Sequence, residues 1–190
     1  MLFRSGQMLI ASRLVPSKGV HLAIEAAAKM IDVPWKLAIA GDGPQRAELE
    51  ALARKLGVGR YVEFLGELPP EVLESWYDRA QVVLFPVLRP EPFGLVGVEA
   101  LAHGRPVVAF AGGAVEEWLW PEETGILVEK RTAVALSAAM ESLLNNPARC
   151  RLMGVSAKTR HAEFESEAYV RRLVEGLGRA RGEFGGVPSV

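Results

Sequence analysis

Short apolar runs alternate with longer stretches of helical periodicity along most of the chain. Met8-Leu9-Ile10-Ala11 reads as a buried strand, and a helical pattern follows from Val20 to Ile31. Further strands are predicted at Lys36 to Ala40, Tyr61 to Leu65, Val82 to Phe85, Pro106 to Phe110 and Ile126 to Val128. Helices are predicted between them at Gln45 to Leu56, Pro70 to Ala80 and Leu95 to His103. Strands that are apolar throughout, rather than alternately, are buried on both faces, which predicts a parallel sheet with helices on both sides and right-handed crossovers. Glycine and proline fall between the elements, at Gly41, Gly43, Pro44, Pro86 and Gly104. From Thr132 onward the pattern is helical and strand-free, with a last helix near Glu167 to Arg181 that carries Tyr169, Leu173, Val174 and Leu177 at helical spacing.

Composition adds limits to this α/β picture. The 190 residues suit one domain with a helical tail, and 49% hydrophobic against 24% charged residues is ordinary for a globular protein. A net charge of −1 gives no electrostatic reason to expect nucleic acid or an anionic membrane as partner. The single cysteine, Cys150, has no companion for a disulfide or a zinc site and suits a reducing, cytoplasmic compartment. No apolar run has the length of a membrane span. Leu2-Phe3-Arg4-Ser5 matches the translation of a sequencing adapter, so residues 1–5 are read as foreign and native sequence as beginning near Gly6.

In an open parallel sheet the ligand site lies beyond the carboxyl ends of the strands, and four loops there carry unusual residues. After the first strand, Arg13 and Lys18 precede a helix start; they are either solvated surface cations or ligands for an anion beside helix amides. After the second, Gly41-Asp42-Gly43-Pro44 is a tight turn with proline at the first helical position, and Gly41 is open to close approach by a ligand. After the fourth, Glu91-Pro92-Phe93-Gly94-Leu95 runs into a helix that carries Glu99; its first amides are free for a diphosphate, and Glu99 is placed to accept from a ribose diol. After the fifth come Gly112-Gly113 and Glu116, either a ligand approach or an ordinary loop. Trp118 and Trp120 follow; they either line a cleft or bury core surface, and core is the favoured reading.

In this order the four loops resemble the donor-binding domain of family 4-type retaining glycosyltransferases. The motifs are Arg13-Leu14…Lys18-Gly19, Gly41-Asp42-Gly43-Pro44, Glu91…Glu99 and Gly112-Gly113…Glu116, supported by Phe64-Leu65-Gly66 and Thr124-Gly125. The resemblance is close from Gly6 to Val128 and loose in the tail. It implies one Rossmann-like half of a GT-B fold: a nucleotide-sugar-binding domain over 6–165, a C-terminal helix over 166–184, and an N-terminal acceptor domain absent from this chain.

It further implies hexosyl transfer from a nucleotide-diphosphate sugar (UDP- or GDP-linked) in carbohydrate biosynthesis, with the isolated chain inactive. Arg13 and Lys18 would meet the diphosphate, and Glu91 the sugar hydroxyls. Phe93, Gly94 and Leu95 would offer backbone amides, Glu99 would hold the ribose, and Gly41 and Gly66-Glu67-Leu68 would lie near the nucleotide. Arg13, Lys18 and Glu91 form the expected catalytic set. No cofactor or metal is implied, and with only Asp32, Asp42 and Asp78 no Asp-x-Asp motif exists. Many relatives act on lipid-linked or cell-envelope acceptors at the inner membrane face, which would give the full-length protein, cytoplasmic otherwise, a peripheral membrane contact. One departure is visible: Ser12 stands where the family has glycine.

Other functions fit less well. A non-catalytic nucleotide or nucleotide-sugar module would need only the residues present. A nicotinamide-dependent oxidoreductase is disfavoured because no Gly-x-Gly-x-x-Gly follows the first strand. An epimerase or phosphorylase of similar architecture is the third alternative. His21, His103 and His161 lie in helical patterns without a motif around them and are read as structural.

Overall fold

The computed structural model describes residues 6–31, 33–89 and 91–164. Six strands form one sheet: β1 (Gln7–Ala11), β2 (Lys36–Ala40), β3 (Val62–Gly66), β4 (Val82–Phe85), β5 (Val107–Phe110) and β6 (Gly125–Val128). Every pairing is parallel, in the order β3-β2-β1-β4-β5-β6. The helices are α1 (Val20–Ala27), α2 (Arg46–Lys55), α3 (Pro70–Arg79), α4 (Leu95–Ala102), α5 (Val115–Trp118), α6 (Ala133–Leu144) and α7 (Pro147–His161).

Alternation within the strands sorts the core into two layers. Met8, Ile10, Leu37, Ile39, Leu84 and Phe110 point to a cluster closed by residues of α1, α2, α6 and α7. Leu9, Ala38, Val83, Val107 and Ala109 point the other way, onto Tyr77, Ala100 and Trp118 from α3, α4 and α5. Both faces of the central strands are thus dry, which is why β4 and β5 carry no polar alternation, whereas the edge strand β3 exposes Glu63. The expected Rossmann-like α/β sheet is therefore the observed one, with two adjustments. The helix read from Val20 to Ile31 stops at Ala27 and tightens into bonds from Lys29 to Ala26 and Met30 to Ala27. Pro34 lies just beyond; it lacks an amide and forces the preceding residue to extend. The short α5 is the second addition, too brief to leave a period in the sequence.

The tail read as strand-free holds α6 and α7, each opened by a side-chain cap. Thr132 Oγ1 accepts from Ala135 N–H at 3.3 Å, and Asn146 Oδ1 from Arg149 N–H at 3.0 Å. The buried Gln81 ties β4 to this tail. Its Oε1 accepts from Gly6 N–H at 2.9 Å, while its Nε2 donates to the carbonyls of Leu143 and Leu144. Cys150 lies alongside with its thiol on Leu143 O, and burial raises its pKa, which marks an inert core thiol. The helix read near Glu167 to Arg181 lies outside the described residues, as do residues 1–5.

Candidate functional site

Strand order reverses between β1 and β4: the chain leaves β1 towards β2 and β3, then returns to the other side for β4. The loops after β1 and β4 therefore diverge around a crevice at their carboxyl ends, the preferred ligand position of such sheets.

These two loops are laced together. Gly19, at φ 65°, lies so close to the β4 loop that a Cβ there would fall 2.0 Å from Pro86 O. Leu88 N–H donates to Ser17 O at 2.8 Å. Across this seam Lys18 Nζ forms an ion pair with Glu91 Oε1, with side-chain exposures of 24% and 22%. Burial, followed by the charge of nearby Arg13, lowers the Lys18 pKa. Arg13 is exposed. The crevice encloses about 240 Å³ and is lined by Ser12, Arg13, Lys18, Pro86, Glu91 and Val96, among others. Ser12 Oγ is shielded there and has no hydrogen-bond partner among the described residues.

Val96 belongs to the first turn of α4, whose leading amides lack carbonyls one turn back; Gly97 N–H turns to Gly94 O at 2.9 Å. The loop entering this helix is held from beneath by Trp118. Its indole Nε1 donates to Phe93 O at 2.7 Å, and its ring meets Phe85 edge-on at 5.4 Å. Gly97 makes room for that ring. Trp118 is fully buried, so the expected core tryptophan also shapes the site's floor. Trp120 packs on Phe164 at 6.1 Å, and Phe164 in turn touches Phe93. Leu95 is 66% exposed beside the crevice.

Further along α4, Glu99 is exposed, yet its Oε2 accepts a 2.8 Å bond from the hydroxyl of Tyr77 on α3. Tyr77 is buried, and burial, then the charge of Glu99, push its phenol far above the ordinary value. His103 stacks on the Tyr77 ring at 5.2 Å and bonds Asp78 through Nδ1 at 3.1 Å. Neither Tyr77 nor this use of His103 follows from local sequence pattern.

The second loop has a packing explanation of its own. Gly41, at φ 123°, runs so close to the first loop that a Cβ would sit 1.9 Å from Ser12 O. Its N–H donates to Gly66 O at 2.7 Å, and Leu14 N–H donates to Asp42 O at 2.9 Å. Asp42 accepts from Gly43 N–H and pairs with Arg46 at 2.8 Å. Gly41 and Gly66 are thus brought together on the β2–β3 side, with Glu67 exposed and Leu68 packed on the α3 and α4 layer. On the opposite side Arg131, just past β6, donates to Leu88 O at 2.8 Å and Ala111 O at 2.7 Å. It ties the Gly112-Gly113 loop to the β4 loop and borders a small hollow with Arg89, Glu91 and Phe93. Its place in the loop past β6, behind Glu129 and Lys130, leaves no periodic signal in the sequence.

A larger cavity, about 900 Å³, opens at the other end of the sheet around Trp35, Tyr61 and Trp76. The Arg60 and Arg79 guanidinium groups cover the rings of Tyr61 and Trp76 at 4.8 Å and 5.3 Å, so those faces are occupied. His21 and His161 lie in α1 and at the end of α7, away from the crevice. Among the described residues no group of three or more His, Cys, Asp or Glu side chains is placed to hold a metal, and no helix is long and apolar enough to cross a membrane.

Residues 4–160 match the sequence model of the family described as glycosyl transferases group 1. A D-inositol 3-phosphate glycosyltransferase of Corynebacterium urealyticum is 37% identical over 86% of this chain and 40% of its own length. The fold is shared with sucrose-phosphate synthase from Thermosynechococcus elongatus: 34% identity, TM-score 0.81, 95% of this chain and 47% of the other. It is shared also with Anabaena HepE solved with UDP-glucose: 26% identity, TM-score 0.80, 93% and 49%. The chain spans less than half the length of each of these proteins.

Proposed function

Because this chain belongs to the group 1 glycosyl transferases, we propose that it is the donor-binding half of a retaining enzyme that moves a hexose from a nucleoside-diphosphate sugar to an acceptor. The observation that carries this reading is the meeting of Lys18 and Glu91 in the crevice between the β1 and β4 loops, beside the first turn of α4. An ammonium and free helix amides suit a diphosphate, and a carboxylate beside them suits sugar hydroxyls. Lys18 and Glu91 lie against each other, so a diphosphate met by Lys18 would bring its attached sugar beside the Glu91 carboxylate.

As the bond from the anomeric carbon to the phosphate oxygen breaks, negative charge grows on the departing nucleotide. Lys18, Arg13 and the α4 amides would receive it, a role that elsewhere falls to a metal ion. Phe93, Gly94 and Leu95 present the backbone edge of that pocket, Glu99 takes the ribose, and Gly41 and Gly66-Glu67-Leu68 border the base. The HepE structure with UDP-glucose makes UDP the first nucleotide to try. The acceptor site belongs to the remainder of a full-length protein, which would work from the cytoplasmic side with peripheral membrane contact.

Calorimetric titration of the chain with UDP, GDP, ADP and their glucose and mannose conjugates tests the reading, with Lys18→Ala and Glu99→Ala as controls. Saturable binding of one nucleotide, weakened in both variants, is the expected result. Binding indifferent to both substitutions would refute this site.

A further inference from the structure

We infer that Tyr77 is a positioning residue for nucleotide recognition: it holds the Glu99 carboxylate in the orientation that receives the ribose diol. This rests on the reading of Glu99 as the ribose ligand. Glu99 stands exposed on α4, and a free glutamate side chain loses considerable rotamer entropy when a ligand fixes it. Here one oxygen is already anchored, since the Tyr77 hydroxyl donates to Oε2 at 2.8 Å. A carboxylate offers about four lone-pair positions, so one such bond leaves Oε1 and part of Oε2 open to a diol.

The anchor is itself rigid. Tyr77 is 2% exposed, its ring lies nearly parallel to His103 (13°), and His103 is fixed by Asp78. Asp78 also faces Arg105, which donates to Ala80 O at 3.2 Å. With its ionisation pushed upward by burial and by Glu99, the phenol stays protonated and remains a donor. A buried tyrosine that aims its only polar atom at an exposed carboxylate on the neighbouring helix pre-orders that carboxylate, which reduces the ordering cost of binding.

The test compares dissociation constants for UDP and 2′-deoxy-UDP, with the guanosine and adenosine pairs alongside, in the parent, Tyr77→Phe and Glu99→Ala proteins. The phenylalanine keeps the ring and its stacking and removes only the hydroxyl. The deoxy/ribo ratio is the readout, because any loss of folded protein weakens both ligands equally and cancels. A hydrogen bond to a charged group implies a ratio of about 10 in the parent, falling to about 3 or less in Tyr77→Phe and to about 1 in Glu99→Ala. If Glu99→Ala abolishes the discrimination while Tyr77→Phe retains it, the role of Tyr77 is overturned and Glu99 keeps its own. If neither substitution changes the ratio, or no nucleotide binds, the ribose reading of Glu99 falls and the inference with it.

Discussion

Replacing Gly97 by alanine sets two effects of opposite sign against each other. Inside a helix the exchange ordinarily stabilises by about 0.5–1 kcal/mol, because alanine loses less backbone entropy on folding. At this position in α4, however, the new methyl would stand 2.2 Å, 2.4 Å and 2.5 Å from Cη2, Cζ3 and Cζ2 of Trp118. Carbon atoms rest about 3.5–4.0 Å apart, so the ring would have to retreat by more than about 1 Å. It has nowhere to go: its Nε1 is bonded to Phe93 O and its ring packs in a T-shaped contact with Phe85. Overpacking of this kind costs about 1–3 kcal/mol, and breaking the indole bond adds about 1 kcal/mol. The net expectation is destabilisation by about 1–3 kcal/mol, or a Tm lower by roughly 2–10 °C for a chain of this size. Urea unfolding of the parent, Gly97→Ala, Trp118→Phe and the double variant gives the answer. In the Trp118→Phe background the benzo ring is gone, so Gly97→Ala should become neutral or stabilising. Stabilisation by Gly97→Ala in the parent, or an equal penalty in both backgrounds, would refute the packing argument.

Gly41→Ala combines a φ of 123° with a Cβ that would lie 1.9 Å from Ser12 O; strain and overpacking together predict a loss of about 3 kcal/mol or more by chemical denaturation. The Asp42 carboxyl is held below its ordinary value by the Gly43 amide and then by the Arg46 guanidinium. A group depressed in the folded state stabilises above its unfolded pKa and ceases to do so as pH falls through the folded one, so Asp42→Asn should lower the Tm at neutral pH by an amount that begins to shrink near about pH 4 and vanishes only once the pH has passed below the folded pKa. In a full-length parent enzyme Lys18→Ala should reduce turnover about 100-fold or more, with the folded fraction unchanged by circular dichroism, since a fixed stabiliser of leaving-group charge contributes ~2.7–4 kcal/mol. Full turnover in that variant would sink the assignment of Lys18.

What could be read in advance was whatever is written locally. Strands such as Val82 to Phe85 and the Leu37 to Ala40 stretch of β2 announce themselves because two-sided burial leaves them wholly apolar. The α1 terminus was misplaced because the alanine-rich run continues past Ala27 as i→i−3 turns, which share much of the helical spacing. Within the site, order of motifs brought Lys18 and Glu91 into one hypothesis although they are remote in the chain. Tyr77, Arg131 and the indole bond of Trp118 were not legible. Each acts through hydrogen bonds to distant backbone or side-chain atoms, and no periodicity records which atom a donor will find. Gly41 shows the converse limit: a glycine open to ligand approach in the sequence turns out to be demanded by the carbonyl of Ser12.

The lacing of the crevice loops bears on how such a domain can be redesigned. The β1 loop is tied to the β4 loop at Ser17, Gly19 and Lys18, and the β4 loop is tied to the β5 loop through Arg131. A loop transplanted alone from a relative with another sugar preference would arrive with half of each fastening. The unit of exchange is the set of three loops together with Arg131, and chimaeras cut within the strands beneath them should keep specificity and stability where single-loop grafts lose both.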